Sequence, residues 1–217
     1  MDSESFSNSV YGSLARRKKE LSDIRLKVRE AEREPSYVSW ISRAAIVLAY
    51  AHWEGFVKES SGKYLKLVSD QRIPVSDLHI SLQAACLSSH FKRVQGSGKV
   101  KYLASILNDM DNRRCEVFRV EPEKVIDTES NLSSTVFKDL ISGLGLESRD
   151  LYDTRQAFID EKLLRCRNMV AHGELVSYST VEADERIDGV LVLLDAYADH
   201  LIEAARDEKF LLISRST

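Results

Sequence analysis

Arg167-Asn168-Met169-Val170-Ala171-His172-Gly173 stands near the end of a strongly helical run, and the rest of the chain is read outward from it. Arg and His are two residue types able to cut RNA without a metal, and here they sit five positions apart. The spacing alone is weak evidence, because Arg72 and His79 satisfy a looser form of it. Context carries the argument. Gly173 is well placed as the first residue beyond a helix, where a left-handed backbone closes the last turn, so the helix is expected to end at Ala171 or His172.

Upstream, Asp153 or Thr154 is expected to cap a helix over 154–171. At 100° per residue, Ile159, Leu163, Cys166 and Val170 form one core stripe. Glu161, Arg165, Asn168 and His172 fall opposite, with Arg167 on the border of the stripe. On an ideal helix Arg167 and His172 stand about 140° apart. They converge on one phosphate only if the chain breaks at Gly173 and swings the His off axis. Arg165, seven residues before His172, points the same way by periodicity, so both arginines remain candidate partners.

The other segments also read as helices. Leu14, Leu21 and Val28, with Ile24 and Ala31 between, give residues 13–33 a heptad-like stripe on a face-charged helix that Pro35 ends. A second long helix is expected over 36–69, with a kink near Ser60-Ser61-Gly62. Shorter helices are expected over 76–94, 99–111 and from Asn131 or Ser133 to Ile141, with a turn at 95–98. A last long helix spans roughly 180–207, followed by an apolar tail from Phe210 to Ile213. Residues 115–120 alternate apolar and polar and form a short strand candidate. The fold class is therefore all-α, a bundle of long antiparallel helices with an irregular segment near 115–120. One domain is expected over 13–217. Residues 13–33 would be peripheral to it, and 1–12 a disordered or loosely held terminus.

Composition narrows the classes. A formal charge of -3 makes the chain no polycation, so nucleic-acid binding must come from a local patch. Three widely spaced cysteines without a CxxC speak against a zinc site or a disulfide framework and point to a reducing cytoplasm. The first nine residues are polar and lack the apolar core of a secretory signal. The longest apolar run, Ala44 to Ala51, is far shorter than the roughly 20 residues that span a bilayer. His52, His79, His90 and His200 lack metal-ligand spacing. No cofactor and no metal is expected.

A second stretch sharpens the first: Leu48-Ala-Tyr50-Ala-His52-Trp53-Glu54-Gly55-Phe56-Val57-Lys58. Together the two resemble the signatures of the HEPN superfamily, and of its prokaryotic RiboL-PSP-HEPN branch in particular. The resemblance covers about 36–207. It implies a helical bundle, usually dimeric, with Arg/His pairs meeting across the subunit interface and cutting RNA without a metal in toxin or phage-defence systems. By that resemblance Arg167 and His172 are catalytic and Asn168 is a supporting polar residue. Glu54 is the candidate partner that orients Arg167, since an acid on a core-facing helix needs a cation. A tyrosine that a partner enzyme modifies in some toxin members has no counterpart here, where that position is Val176.

The implied chemistry has His172 take the proton of a ribose 2′-hydroxyl while Arg167 stabilises the phosphate charge, giving a 2′,3′-cyclic phosphate. A second proton carrier would be the His172 of a second subunit. The implied partners are RNA, a second copy, and a cognate antitoxin or associated defence protein. Other readings stand beside this one. Arg167 and Glu54 form a structural ion pair and His172 merely caps a helix. The chain is a catalytically silent module binding nucleic acid or a partner protein. Residues 13–33 serve as a coiled-coil seam. The run Arg16-Arg17-Lys18-Lys19 reads as a solvated helix face.

Overall fold

Pro35 ends one helix and, lacking an N–H that a first turn would leave unpaired, opens the next. In chain order the computed structural model contains α1 (Ser3–Ala31), α2 (Pro35–Asp70), α3 (Val100–Arg113), α4 (Pro122–Val125), α5 (Ser134–Gly143), α6 (Asp150–Thr154), α7 (Arg165–Ala171) and α8 (Thr180–Arg206). A π-helical segment, Phe158–Leu164, lies between α6 and α7. The structure describes residues 1–86, 100–128 and 131–212. Residues 80–86 are helical; the rest of the helix expected over 76–94, and the turn at 95–98, lie outside the described residues.

The core is a three-helix layer of α1, α2 and α8. α1 runs antiparallel to α2: Lys63 donates to the Ser9 carbonyl, Ser13 to Glu59, and Arg17 to the His52 carbonyl. It runs antiparallel to α8 as well, with Lys18 on Asp195 at 2.8 Å, Arg25 on Asp188, and Arg29 on Asp184 at 2.7 Å. Between them Trp53 is buried edge-on against Phe137 and Tyr197, with ring centroids at 4.8 and 6.3 Å. The chain is all-α, as its periodicity predicts.

Several expectations are corrected. Residues 3–12 are the first turns of α1, started by the Asp2 carboxylate accepting the Ser5 amide proton at 2.8 Å. Phe6 and Val10 extend the Leu14 stripe toward the N-terminus at four-residue intervals and are wholly buried. α1 is thus part of the core, not peripheral. Its stripe is covered within the chain and cannot serve as an intermolecular seam. Arg17 is buried and Lys18 is paired, so the basic run is not a uniformly solvated face.

α2 passes through Ser60-Ser61-Gly62 as one helix; the Ser61 hydroxyl donates to the Val57 carbonyl and meets the Tyr197 hydroxyl at 2.6 Å. Residues 115–120 make a single bridge, Pro74 with Val117, rather than a strand; among the described residues there is none. The Phe118 amide bonds the Ile73 carbonyl and its ring is buried. In the tail, Phe210 is buried and Leu211 bridges Leu78, while Ile213 lies outside the described residues. Among the described residues no helix is long and apolar enough to cross a membrane.

Candidate active site around Arg167

The helix expected over 154–171 is three pieces. α6 ends at Thr154, the chain winds as a π-helix over Phe158–Leu164, and regular α-helix resumes only at Arg165. Two contacts settle the π segment on its neighbours. Asp160 accepts from the Ser134 amide at 2.7 Å and from its hydroxyl at 2.6 Å, fixing the start of α5. Phe158 packs against α8 at Gly189, where a Cβ would fall 2.1 Å from the ring. Ile159, Leu163 and Cys166 are buried as the stripe predicts. The 100° reckoning does not carry across the π turns from Ile159 and Leu163, but it holds within α7, where Arg165, Arg167 and the cap His172 share one regular helix.

α7 closes at Gly173, whose φ is 76°. The Gly173 amide bonds the Val170 carbonyl at 3.1 Å, and the Glu174 amide bonds the Met169 carbonyl at 2.9 Å. This pair of bonds is a Schellman closure, with His172 as the capping residue and Gly173 as C′. His172 stands exposed, but its amide still bonds the Asn168 carbonyl at 2.9 Å, so it keeps its place on the helix and is not swung off axis.

Arg167 goes the other way, into α2. Its guanidinium lies 4.4 Å from the centroid of the buried Tyr50 ring and 3.8 Å from Glu54 Oε2. Only a fifth of its side chain remains exposed. Glu54 is shared three ways: Oε1 accepts from the Thr128 hydroxyl at 2.7 Å and stands 3.3 Å from Lys58 Nζ. The Tyr50 hydroxyl in turn accepts the Leu132 amide proton at 2.7 Å. Burial raises the Tyr50 phenol above its ordinary value, with Arg167 pulling the other way, so the ring stays neutral beneath the cation.

The structure thus brings Glu54 to Arg167 and sends Arg165 elsewhere. Arg165 is two-thirds exposed and pairs with Glu161 one turn back at 2.9 Å. Asn168 lines an open groove of about 400 Å³ with Asp160, Leu164, Arg165, Met169 and Glu174. Among the described residues no cluster of three or more His, Cys, Asp or Glu is grouped as metal ligands would be.

The rest of the second stretch is explained by α1. Gly55 faces the Arg17 guanidinium, which reaches over it to the His52 carbonyl at 3.3 Å and to Glu59 at 3.0 Å, with Phe56 5.9 Å below. Tyr50 and Arg17 were the residues sequence reasoning passed over. Tyr50 had a signal, standing one helical turn before Glu54; Arg17 was hidden in a basic run.

The helical layer and the two matched stretches place this chain in the HEPN superfamily. The RiboL-PSP-HEPN family model matches residues 13–203, and the chain belongs to that family. The match takes in the last two-thirds of α1, from Ser13 onward, which the two stretches alone do not reach. No curated protein and no solved structure matches.

Proposed function

We propose that the protein is a metal-independent endoribonuclease of toxin or phage-defence type, acting in the cytoplasm. Arg167 stabilises charge on the scissile phosphate, and His172 serves as general acid and base. The single observation that supports this reading is a flanked arginine and a solvent-open histidine carried by one short helix, α7. Tyr50 and Glu54 flank the Arg167 guanidinium, and His172, the cap of the same helix, is open to solvent. Lys58, beside Glu54, adds a second positive charge to the same face. Asn168 acts in support.

A homodimer completes the reaction, since one His172 cannot both take the 2′-hydroxyl proton and protonate the leaving oxygen on opposite sides of the phosphate. The face of α2 that carries Glu54 supports it: Tyr37, Trp40, Leu48 and Ala51 share that face and are exposed. Leu175, three residues past His172, is fully exposed. A large apolar strip beside a charged site suits a second copy. A cognate antitoxin or defence partner would mask the same strip.

One observation favours a second reading. An arginine already engaged by a carboxylate and a ring can be purely structural, leaving a catalytically silent module that binds nucleic acid or a partner protein. Cleavage of mixed RNA in EDTA separates the two. Wild type should give 2′,3′-cyclic phosphate ends, His172→Ala and Arg167→Ala should lose about a hundredfold or more, and Arg165→Ala should cut normally. Folded wild-type dimer that binds RNA without cutting it would establish the silent module instead.

A further inference from the structure

We propose that Tyr50 is a positioning residue of this site, its ring setting the Arg167 guanidinium and its hydroxyl tying that ring to the segment before α5. Three observations converge. Tyr50 is buried and presents its ring at 4.4 Å to the guanidinium. Its hydroxyl accepts from the Leu132 amide, and Leu132 is itself wholly buried. One helical turn on, Glu54 receives the hydroxyl of buried Thr128 from the same segment.

A carboxylate 3.8 Å away fixes the charge of Arg167 without fixing the plane of its fork. The Tyr50 ring adds a surface 4.4 Å from the guanidinium centre that restricts how the fork can turn, since a guanidinium over an aromatic face keeps its N–H edges directed outward. The Thr128 hydroxyl and the Leu132 amide bond Glu54 and Tyr50 in turn, while the contact that sets Arg167 is the ring itself. Arg165 is exposed and pairs with an exposed Glu161 on its own helical run.

The kinetic consequence rests on the ribonuclease reading, but the geometry does not, so two readouts are needed. Both use the full chain as wild type, Tyr50→Phe and Tyr50→Leu. The first is kcat and KM on an unstructured oligoribonucleotide in EDTA; the second is the Arg167 Nε–H resonance by NMR. The wild-type resonance should be shifted upfield by the ring, stay there in Tyr50→Phe, and return to its ordinary position in Tyr50→Leu. In Tyr50→Leu kcat should fall roughly tenfold with KM within about twofold, while Tyr50→Phe keeps kcat within about twofold and speeds exchange of the Leu132 amide. An unchanged resonance and unchanged kcat in Tyr50→Leu would overturn the proposal, as would equal losses in both variants. If wild type does not cleave RNA, the ribonuclease reading fails and the resonance alone decides the positioning role. Should Tyr50→Leu not fold, wild type still decides: no nuclear Overhauser contact between the Tyr50 ring and Arg167 Hδ would refute it.

Discussion

Arg17 lies so close over Gly55 that a Cβ at that position would stand 3.1 Å from its Nη1. The guanidinium cannot easily move away, because His52 and Glu59 hold it and the residue is buried. In an ordinary helix interior Gly→Ala gains about 1 kcal/mol. Here Gly55→Ala should instead lower stability by about 0.5–1 kcal/mol, as displacing the guanidinium outweighs that gain. In an Arg17→Ala background the same change should be stabilising. Urea denaturation of the four proteins measures the coupling; additive effects would mean that Arg17 does not set the identity of residue 55.

Gly173 has open space around it, so its requirement is one of backbone alone. Gly173→Ala should cost about 1 kcal/mol of stability, because an L side chain resists the left-handed turn. Its effect on RNA cleavage should be larger than that loss accounts for, since the capping residue it displaces is His172. Equal activity at a temperature where both proteins are folded would detach the Schellman closure from the chemistry.

Arg167→Lys should behave like a null variant. A lysine keeps the charge beside Glu54 but has no planar fork to lie on Tyr50. Glu54→Gln should lower kcat by roughly tenfold and leave KM nearly unchanged, because it loosens Arg167 without removing it. Near-wild-type activity in Arg167→Lys would show that positive charge alone suffices there.

Two groups predict how stability depends on pH. Burial holds His200 neutral, down to about 4 from 6.5, helped by the nearby Arg149 charge. Its folded value is depressed, so its contribution is present above pH 6.5 and is lost as pH falls toward 4. Burial alone would raise Glu59, yet bonds from Lys63, Arg17 and Ser13 outweigh it and hold the carboxyl at about 2. Its contribution is present above its ordinary 4.5 and is lost between there and 2. With a third of the side chain exposed, that contribution amounts to about 1 kcal/mol. Thermal midpoints should therefore fall in two steps on acidification. His200→Gln should reduce the upper loss, to which buried His52 also contributes, and Glu59→Gln should reduce the lower, which Asp70 and Glu182 share; an upper loss unchanged in His200→Gln would contradict this division.

Much of the fold was legible, because the long helices carry strong stripes and Pro35 and Gly173 mark two helix ends by their backbone chemistry. Residues 1–12 were misread from their polar composition, although Phe6 and Val10 continue the Leu14 stripe. At the site, Glu54, Arg167 and Tyr50 all lie within the two stretches, but the contact of Tyr50 with Arg167 depends on the approach of two helices. Arg17 could not be told from its neighbours in Arg16-Arg17-Lys18-Lys19, because burial of one cation in four depends on where α2 lies. The π segment left no mark, since its residues keep the apolar spacing of an ordinary helix.

That segment gives the chain slack at one defined place. Over Phe158–Leu164 the π winding stores roughly one residue more than α-helix of equal rise. Removing a residue from any regular helix turns everything beyond it by 100°. Removing one here lets π relax to α while the phases of Asp160 on one flank and Arg167 on the other change little. The stretch just before the motif is therefore where this chain should lose a single residue and still deliver Arg167 to Glu54.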